Sequence, residues 1–255
     1  MKKLFPAFVL IALMISCKKS TITEPQQNAV KLVSTSAFSA NVIASADTFI
    51  YSSNGNLLSQ KIWTYSNGVN NGDTVTLTFN YTGTNPDPAT YTIKNGRGIN
   101  TYTLTYDNQG RLIKDTLIPD VLAIASTFSY PGNNIVFNSV DNGSTDTIYL
   151  SNNNIVKTVQ ASIPPDPASN TVDVFSYDHL YPNPFYSAGQ TQNVRLLLTK
   201  IDGWNLVRND FISQNAFTAV NENNSFNIPV TYTLDASGKI IKGTAFSFSM
   251  VYNYK

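Results

Sequence analysis

The chain has 255 residues, 17 of them basic and 16 acidic, with 13% charged residues, 12% aromatic residues and a single cysteine. Its near-neutral balance supplies no basic field with which to hold nucleic acid by its phosphates, and one thiol excludes an internal disulfide framework. With so few charges, solvent-facing positions fall to Asn, Thr and Ser, which are poor in helix interiors, whereas Thr, Tyr, Phe and Val suit a pleated surface; the composition points to sheets.

In chain order, Lys2 and Lys3 precede an apolar run, Leu4, Phe5 and then Ala7 to Ile15. That run is shorter than the ~20 residues of a membrane-spanning helix, so residues 1–16 read as a signal peptide. Met14-Ile15-Ser16-Cys17 resembles a lipobox, the apolar-apolar-small-Cys pattern of lipoprotein signal peptides. The resemblance implies cleavage before Cys17 and lipidation of its thiol, which makes Cys17 the one site residue the sequence assigns. Each buried methylene of such an anchor adds roughly 0.8 kcal/mol, and several acyl chains hold a protein durably. The membrane is therefore an expected partner through Cys17 alone. Residues 17–30, with Lys18, Lys19 and the polar stretch Ser20 to Asn28, read as a lipidated terminus and flexible tether. Lysine rather than aspartate after Cys17 implies, by resemblance to Gram-negative lipoproteins, transfer to the outer membrane. The side of display stays open between periplasm and cell surface.

Residues 31–255 are expected to form a single all-β domain, an antiparallel meander of successive hairpins. Val75, Leu77, Phe79 and Tyr81 alternate with Thr74, Thr76, Thr78, Asn80 and Thr82, giving one apolar and one wet face. The same period runs through Tyr102, Leu104 and Tyr106, through Phe226 to Leu234, and through Phe246 to Tyr254. A sheet with one wet face is typically antiparallel. Asn54-Gly55, Asn67-Gly68, Asn71-Gly72, Asn95-Gly96 and Asn142-Gly143 accept positive φ and are expected in tight turns. Prolines at Asn85-Pro86-Asp87-Pro88, Pro164-Pro165-Asp166-Pro167 and Pro182-Asn183-Pro184 lack amide donors and interrupt the meander. The first two share Pro-Asp-Pro-Ala, as equivalent long hairpin loops of a repeated architecture would. From Asp178 to Tyr186 the chain should form a joint pinned to the core by Tyr181, Phe185 and Tyr186, with its prolines barred from sheet pairing. Val194, Leu197, Leu198 and Ile201 then fit a short helix, one of at most two near 192–216.

Aligned by their turns, Tyr51-Ser-Ser-Asn-Gly55-Asn-Leu57 and Tyr106-Asp-Asn-Gln-Gly110-Arg-Leu112 share one spacing. Leu234 to Ile240 replaces the tyrosine, Tyr130 to Ile135 shifts the glycine, and Leu150 to Ile155 is one residue short. An aromatic ends one strand on the core face, glycine reverses the chain, and a branched residue begins the return on that face. The unit resembles the YD or Rhs repeat. Together with the lipobox and Asp178-His-Leu-Tyr-Pro-Asn183-Pro184-Phe185-Tyr186, the chain is similar to an uncharacterised group of Gram-negative envelope lipoproteins over about residues 47–255. That resemblance implies a meandering β domain and no reaction.

His179 is the only histidine, and neither a Gly-x-Ser-x-Gly elbow nor a second histidine accompanies it. It is expected to have a structural or surface role, with Asp178 bracing the loop. Glu24 and Glu222 are the only glutamates, so carboxylate chemistry would fall to Asp141, Asp146, Asp166, Asp173 and Asp178, which lie in turn-rich sequence. Asp141 to Asp146 lacks the length and terminal glutamate of a calcium loop. Trp63 and Trp204 fill a β core or stack on sugars. No cofactor, metal or nucleic acid is expected. The chain reads as an envelope lipoprotein that acts as a non-catalytic binding or scaffold module for a glycan, peptide or envelope protein. The alternative is a hydrolase acting on envelope or extracellular polysaccharide through loop aspartates.

Overall fold

The computed structural model describes residues 31–119, 125–139, 145–161, 170–186, 191–201, 210–223 and 226–255. The signal peptide, Cys17, the tether, Glu24, Asp141, Asn142-Gly143, Asp166 and Trp204 lie outside these residues, as does the side chain of His179.

Among the described residues, seventeen strands follow one another as hairpins, interrupted once by a helix. They are β1 (Leu32–Ser39) and β2 (Val42–Tyr51), β3 (Leu57–Ser66) and β4 (Val69–Tyr81), and β5 (Pro88–Asn95) and β6 (Gly98–Tyr106). Next come β7 (Leu112–Ile118) and β8 (Ala125–Ser129), β9 (Asn134–Ser139) and β10 (Thr145–Ser151), and β11 (Asn154–Ala161) and β12 (Thr171–Pro182). The helix α1 (Gln192–Ile201) precedes β13 (Asn215–Glu222), β14 (Phe226–Pro229), β15 (Thr231–Leu234), β16 (Ile240–Ala245) and β17 (Phe248–Tyr254).

Among the described residues every ladder is antiparallel and joins neighbours in sequence, except that β1 also pairs with β17, Thr35 opposite Tyr252. That pairing closes the sheet. β14 pairs with β13 and β15 with β16, and between them lies only Val230, whose N–H donates to Thr218 O at 2.8 Å. They are two halves of one strand, so the architecture is an up-and-down barrel with no free edge to template aggregation. The all-β meander expected from the sequence is what the chain forms.

The wall sorts its residues by the period of two. Leu77, Phe79, Tyr91, Leu112, Ile135 and Ile148 point inward and are buried. Outward, Thr74, Thr76 and Thr78 stand opposite Trp63, Lys61 and Ser59 on one side, and Thr76 and Thr78 stand opposite Lys94 and Thr92 on the other. The polar band continues through Thr101 and Thr103 to Thr116. The interior is filled by described residues between β12 and β13, among them Phe185, helix α1 and Asp210 to Ser213. Helix α1 buries Val194, Leu196, Leu197 and Leu198 at 1% exposure or less. It is apolar on more than one face because it is enclosed, which is why its residues fit both helical and strand spacing.

Several expectations are corrected. Asn71-Gly72 is no hairpin turn: Gly72, at φ 74°, is a bulge within β4, where Asn70 Oδ1 accepts its N–H. The turn after β5 is Gly96-Arg97, with Asn95 still in the strand. Phe226 and Leu234, placed on an apolar face by alternation, are exposed, and so is Phe246 in the turn before β17. Pro182 is not barred from the sheet: β12 runs to it, and it lies opposite Asn215 past a bulge, a position that asks no amide donor of it. Pro86-Asp87-Pro88-Ala89 joins β4 to β5, and Pro165-Asp166-Pro167-Ala168 lies outside the described residues.

Candidate functional site

The repeated hairpins meet at one end of the barrel, and the aspartate of the YD unit explains their shape. Asp107 Oδ1 accepts the N–H groups of Gln109 and Arg111, both at 2.9 Å, while Gly110 turns the chain at φ 75°. Asp235 repeats the bonds to Ser237 and Lys239 around Gly238, and Ser52 substitutes with one bond to Asn56. Asp107 lies below its usual range because the Arg111 N–H and guanidinium favour its charged form.

The tyrosine has a partner that lies outside its own hairpin turn. Tyr51 donates its hydroxyl to Leu32 O, Tyr81 to Leu57 O, Tyr106 to Pro88 O and Tyr130 to Leu112 O. Tyr177 donates to Ile155 O, Tyr232 to Phe217 O and Tyr254 to Ile240 O. Tyr51, Tyr81, Tyr106, Tyr130 and Tyr254 thus tie the end of one strand to the start of the strand before it, and Tyr177 and Tyr232 make the equivalent bond from within β12 and β15. Burial raises the phenols of Tyr81, Tyr106, Tyr130, Tyr177, Tyr232 and Tyr254 above their ordinary range. They remain donors at any physiological pH.

One position breaks the series. At the end of β10 the residue is Leu150, directly opposite Ile155, and a leucine has no hydroxyl to donate. Beside it opens a cleft of about 270 Å³, with Ile135 and Leu150 among its apolar lining. Asn133 reaches it from the β8–β9 turn, Asn152 from the β10–β11 turn and Gln192 from the first residue of α1. The side-chain amides of these three make no hydrogen bond among the described residues. Arg111 flanks the cleft with its charge met by Asp107 at 2.7 Å and its guanidinium 4.6 Å from the Tyr130 ring centroid. α1 is aimed here by Asn193, whose Nδ2 donates to Gly110 O at 2.8 Å and whose Oδ1 accepts Leu112 N at 2.9 Å.

A second polar feature is internal. Asp210 is buried beside a cavity of about 40 Å³ next to Asn183, Phe217, Tyr232 and Tyr252. Its Oδ1 accepts Ile212 N and Ser213 N, whereas Oδ2 makes no hydrogen bond among the described residues. Burial pushes its carboxyl up to about 6 from 3.8. A folded value above the unfolded one means the fold binds the extra proton, so stability falls as pH rises from about 4 to about 6 and levels off above. Each tenfold change in proton affinity is worth about 1.4 kcal/mol, so this group alone removes about 3 kcal/mol across that window. Asp146, which burial also pushes up to about 6, adds in the same direction. Melting at pH 4.5 and 7.5 should therefore show Asp210→Asn gaining on the parent only at the higher pH. Equal gains at both would show that Asp210 does not titrate in this window.

Among the carboxylates singled out from the sequence, Asp173 meets Glu222 directly across the β12–β13 ladder. Burial, and then repulsion from Glu222, raises Asp173. Asp146 stands opposite Gln160 of β11, one strand removed from Asp173. Asp178 accepts Leu180 N at 3.0 Å, the local brace expected of it. Trp63 is on the outer wall with the Lys61 ammonium 4.9 Å from its ring centroid, not in the core. The cleft amides escaped sequence reasoning; the signal that marks them is the Leu150 copy of the repeat, where the tyrosine is missing.

Fold and cleft define a filled, closed β-barrel with hairpin repeats converging on one end. No family model and no curated protein matches the sequence. Solved structures do match in fold. A porin-like protein from Bacteroides uniformis is 18% identical with a TM-score of 0.53, over 88% of this chain and 98% of that one. A porin-like protein from Bacteroides vulgatus is 11% identical with a TM-score of 0.50, over 89% and 99%.

Proposed function

We propose that the chain is a lipid-anchored cell-envelope protein whose barrel is a water-soluble, non-catalytic binding module rather than a pore. The observation that carries this reading is the sorting of the wall. A membrane-spanning barrel needs an apolar outer band about 25 Å tall around a polar lumen; here threonines and lysines face outward and leucines and phenylalanines face inward around a buried helix. The likeness to porin-like proteins is then one of strand arrangement. A barrel of this kind reaches a membrane only through an anchor, and Cys17 supplies one, with outer-membrane placement following from Lys18. Lys31, the first described residue, lies beside Gly55 at the hairpin end, the end that bears the cleft.

Membrane fractionation of Cys17→Ser separates the two arrangements. The tethered reading expects the acylated mass to vanish and the variant to leave the membrane in a carbonate or high-salt wash. A variant that still requires detergent would mark an embedded barrel and overturn the reading. The hydrolase alternative draws on one observation, the facing pair Asp173 and Glu222: Cβ atoms of such partners lie about 5 Å apart, near the carboxylate spacing of retaining glycosidases. Turnover of a polysaccharide that is abolished by Asp173→Asn would replace binding by catalysis.

A further inference from the structure

We propose that the cleft beside Leu150 is a binding site for a neutral sugar unit, an inference that rests on the binding-module reading above. Asn133, Asn152 and Gln192 line it from separate elements, exposed to solvent, and their side-chain amides have no partners among the described residues. An amide offers donors and an acceptor together, which is what a hydroxyl, itself both donor and acceptor, requires. The only cation at the cleft, Arg111, is neutralised by Asp107, so a charged ligand finds no unpaired countercharge among the described residues lining it. Leu150, half-buried at the cleft, adds apolar surface of the kind that accepts the C–H face of a pyranose ring. At about 270 Å³ the space is just below the 300–1,000 Å³ of drug-sized sites. It suits one or two sugar rings, not an extended polymer.

The same geometry explains why Leu150 breaks the series. A tyrosine there would place its hydroxyl toward Asn134 O, as Tyr130 does toward Leu112 O, and its ring would occupy the cleft. The binding space exists because one clasp is absent.

Saturation-transfer NMR tests this on the full-length lipoprotein in a zwitterionic detergent, which carries no sugar of its own. The probes are glucose, galactose, mannose, N-acetylglucosamine and maltose at up to tens of millimolar, beside a blocked Gly-Asn-Gly tripeptide. Transfer to at least one neutral sugar is expected, reduced at least tenfold by Leu150→Tyr. That variant should melt a few degrees above the parent by gaining a hydrogen bond, so its loss of binding is not unfolding. Asn152→Gly removes one amide while keeping the left-handed backbone at φ 49°, and it should weaken transfer severalfold. Transfer confined to one ring of maltose marks capture of a chain end; transfer to a monosaccharide alone marks a free sugar, and both support the proposal. Transfer to the tripeptide alone, removed by Leu150→Tyr, would overturn the sugar assignment and leave the binding module standing. No transfer that Leu150→Tyr removes, from sugar or peptide, would overturn both.

Discussion

Phe185→Ala is expected to lower stability by roughly 3–5 kcal/mol, the usual cost of deleting a buried phenylalanine ring. The ring is 3% exposed and packs against Phe211 with centroids 4.7 Å apart, against Tyr252 at 5.8 Å and against Phe49 at 6.4 Å. Those partners come from the interior segment, β17 and β2, so one side chain joins the chain inside the barrel to the seam where its wall closes. Asn183 sets the ring in place: its Oδ1 accepts Phe185 N, while its Nδ2 donates to Asp210 O and Ser213 O. For a chain of this size the loss corresponds to a fall in melting temperature on the order of 10 °C. Phe185→Leu, which keeps most of the apolar volume, should recover more than half of it. If Phe185→Ala melts with the parent, the segment is held by Asn183 alone and the ring is incidental.

Local physics was legible in the sequence. The alternation from Thr74 to Thr82 gave a strand with the correct inward face, and Tyr106 to Leu112 gave a hairpin whose register, Tyr106 opposite Leu112, is the one observed. The closure was not. It depends on Thr35 meeting Tyr252, and neither strand carries a mark of its distant partner. The tyrosine clasp was half legible: Tyr51, Tyr106 and Tyr130 were evident as turn aromatics, but each clasp's acceptor lies 14 to 24 residues away on the neighbouring strand. Leu150 was visible as a degenerate copy, yet a missing hydroxyl has meaning only once the other hydroxyls are known to have a job. Exposed Phe226 and Phe246, with ring centroids 5.5 Å apart, defeat alternation because both lie where strands leave the wall, at the end opposite the hairpin repeats.

Removing the charge of Lys200 should cost as much as removing the Phe185 ring. Lys200 closes the last turn of α1, where a cation complements the helix dipole. Its ammonium meets Asp115 at 2.5 Å on the inner face of β7, with side-chain exposures of 14% and 0%. Asp115 also accepts Tyr91 Oη at 2.8 Å and Ser126 N at 3.0 Å, so the carboxylate is well bonded but has this one countercharge in contact. The Tyr102 ring face lies 5.4 Å from the ammonium. Breaking a buried pair by deleting one partner strands the other charge, typically at 3–5 kcal/mol, whereas replacing both is far cheaper. Lys200→Met keeps the length of the side chain and should therefore destabilise by about that much in urea melts, with an unchanged slope. Adding Asp115→Asn should return most of the loss, since an amide oxygen still accepts Ser126 N and no charge is left behind. A single variant as stable as the parent would mean that apolar packing alone seats α1. A double variant no better than the single would assign the loss to the lysine's own contacts, not to the stranded carboxylate.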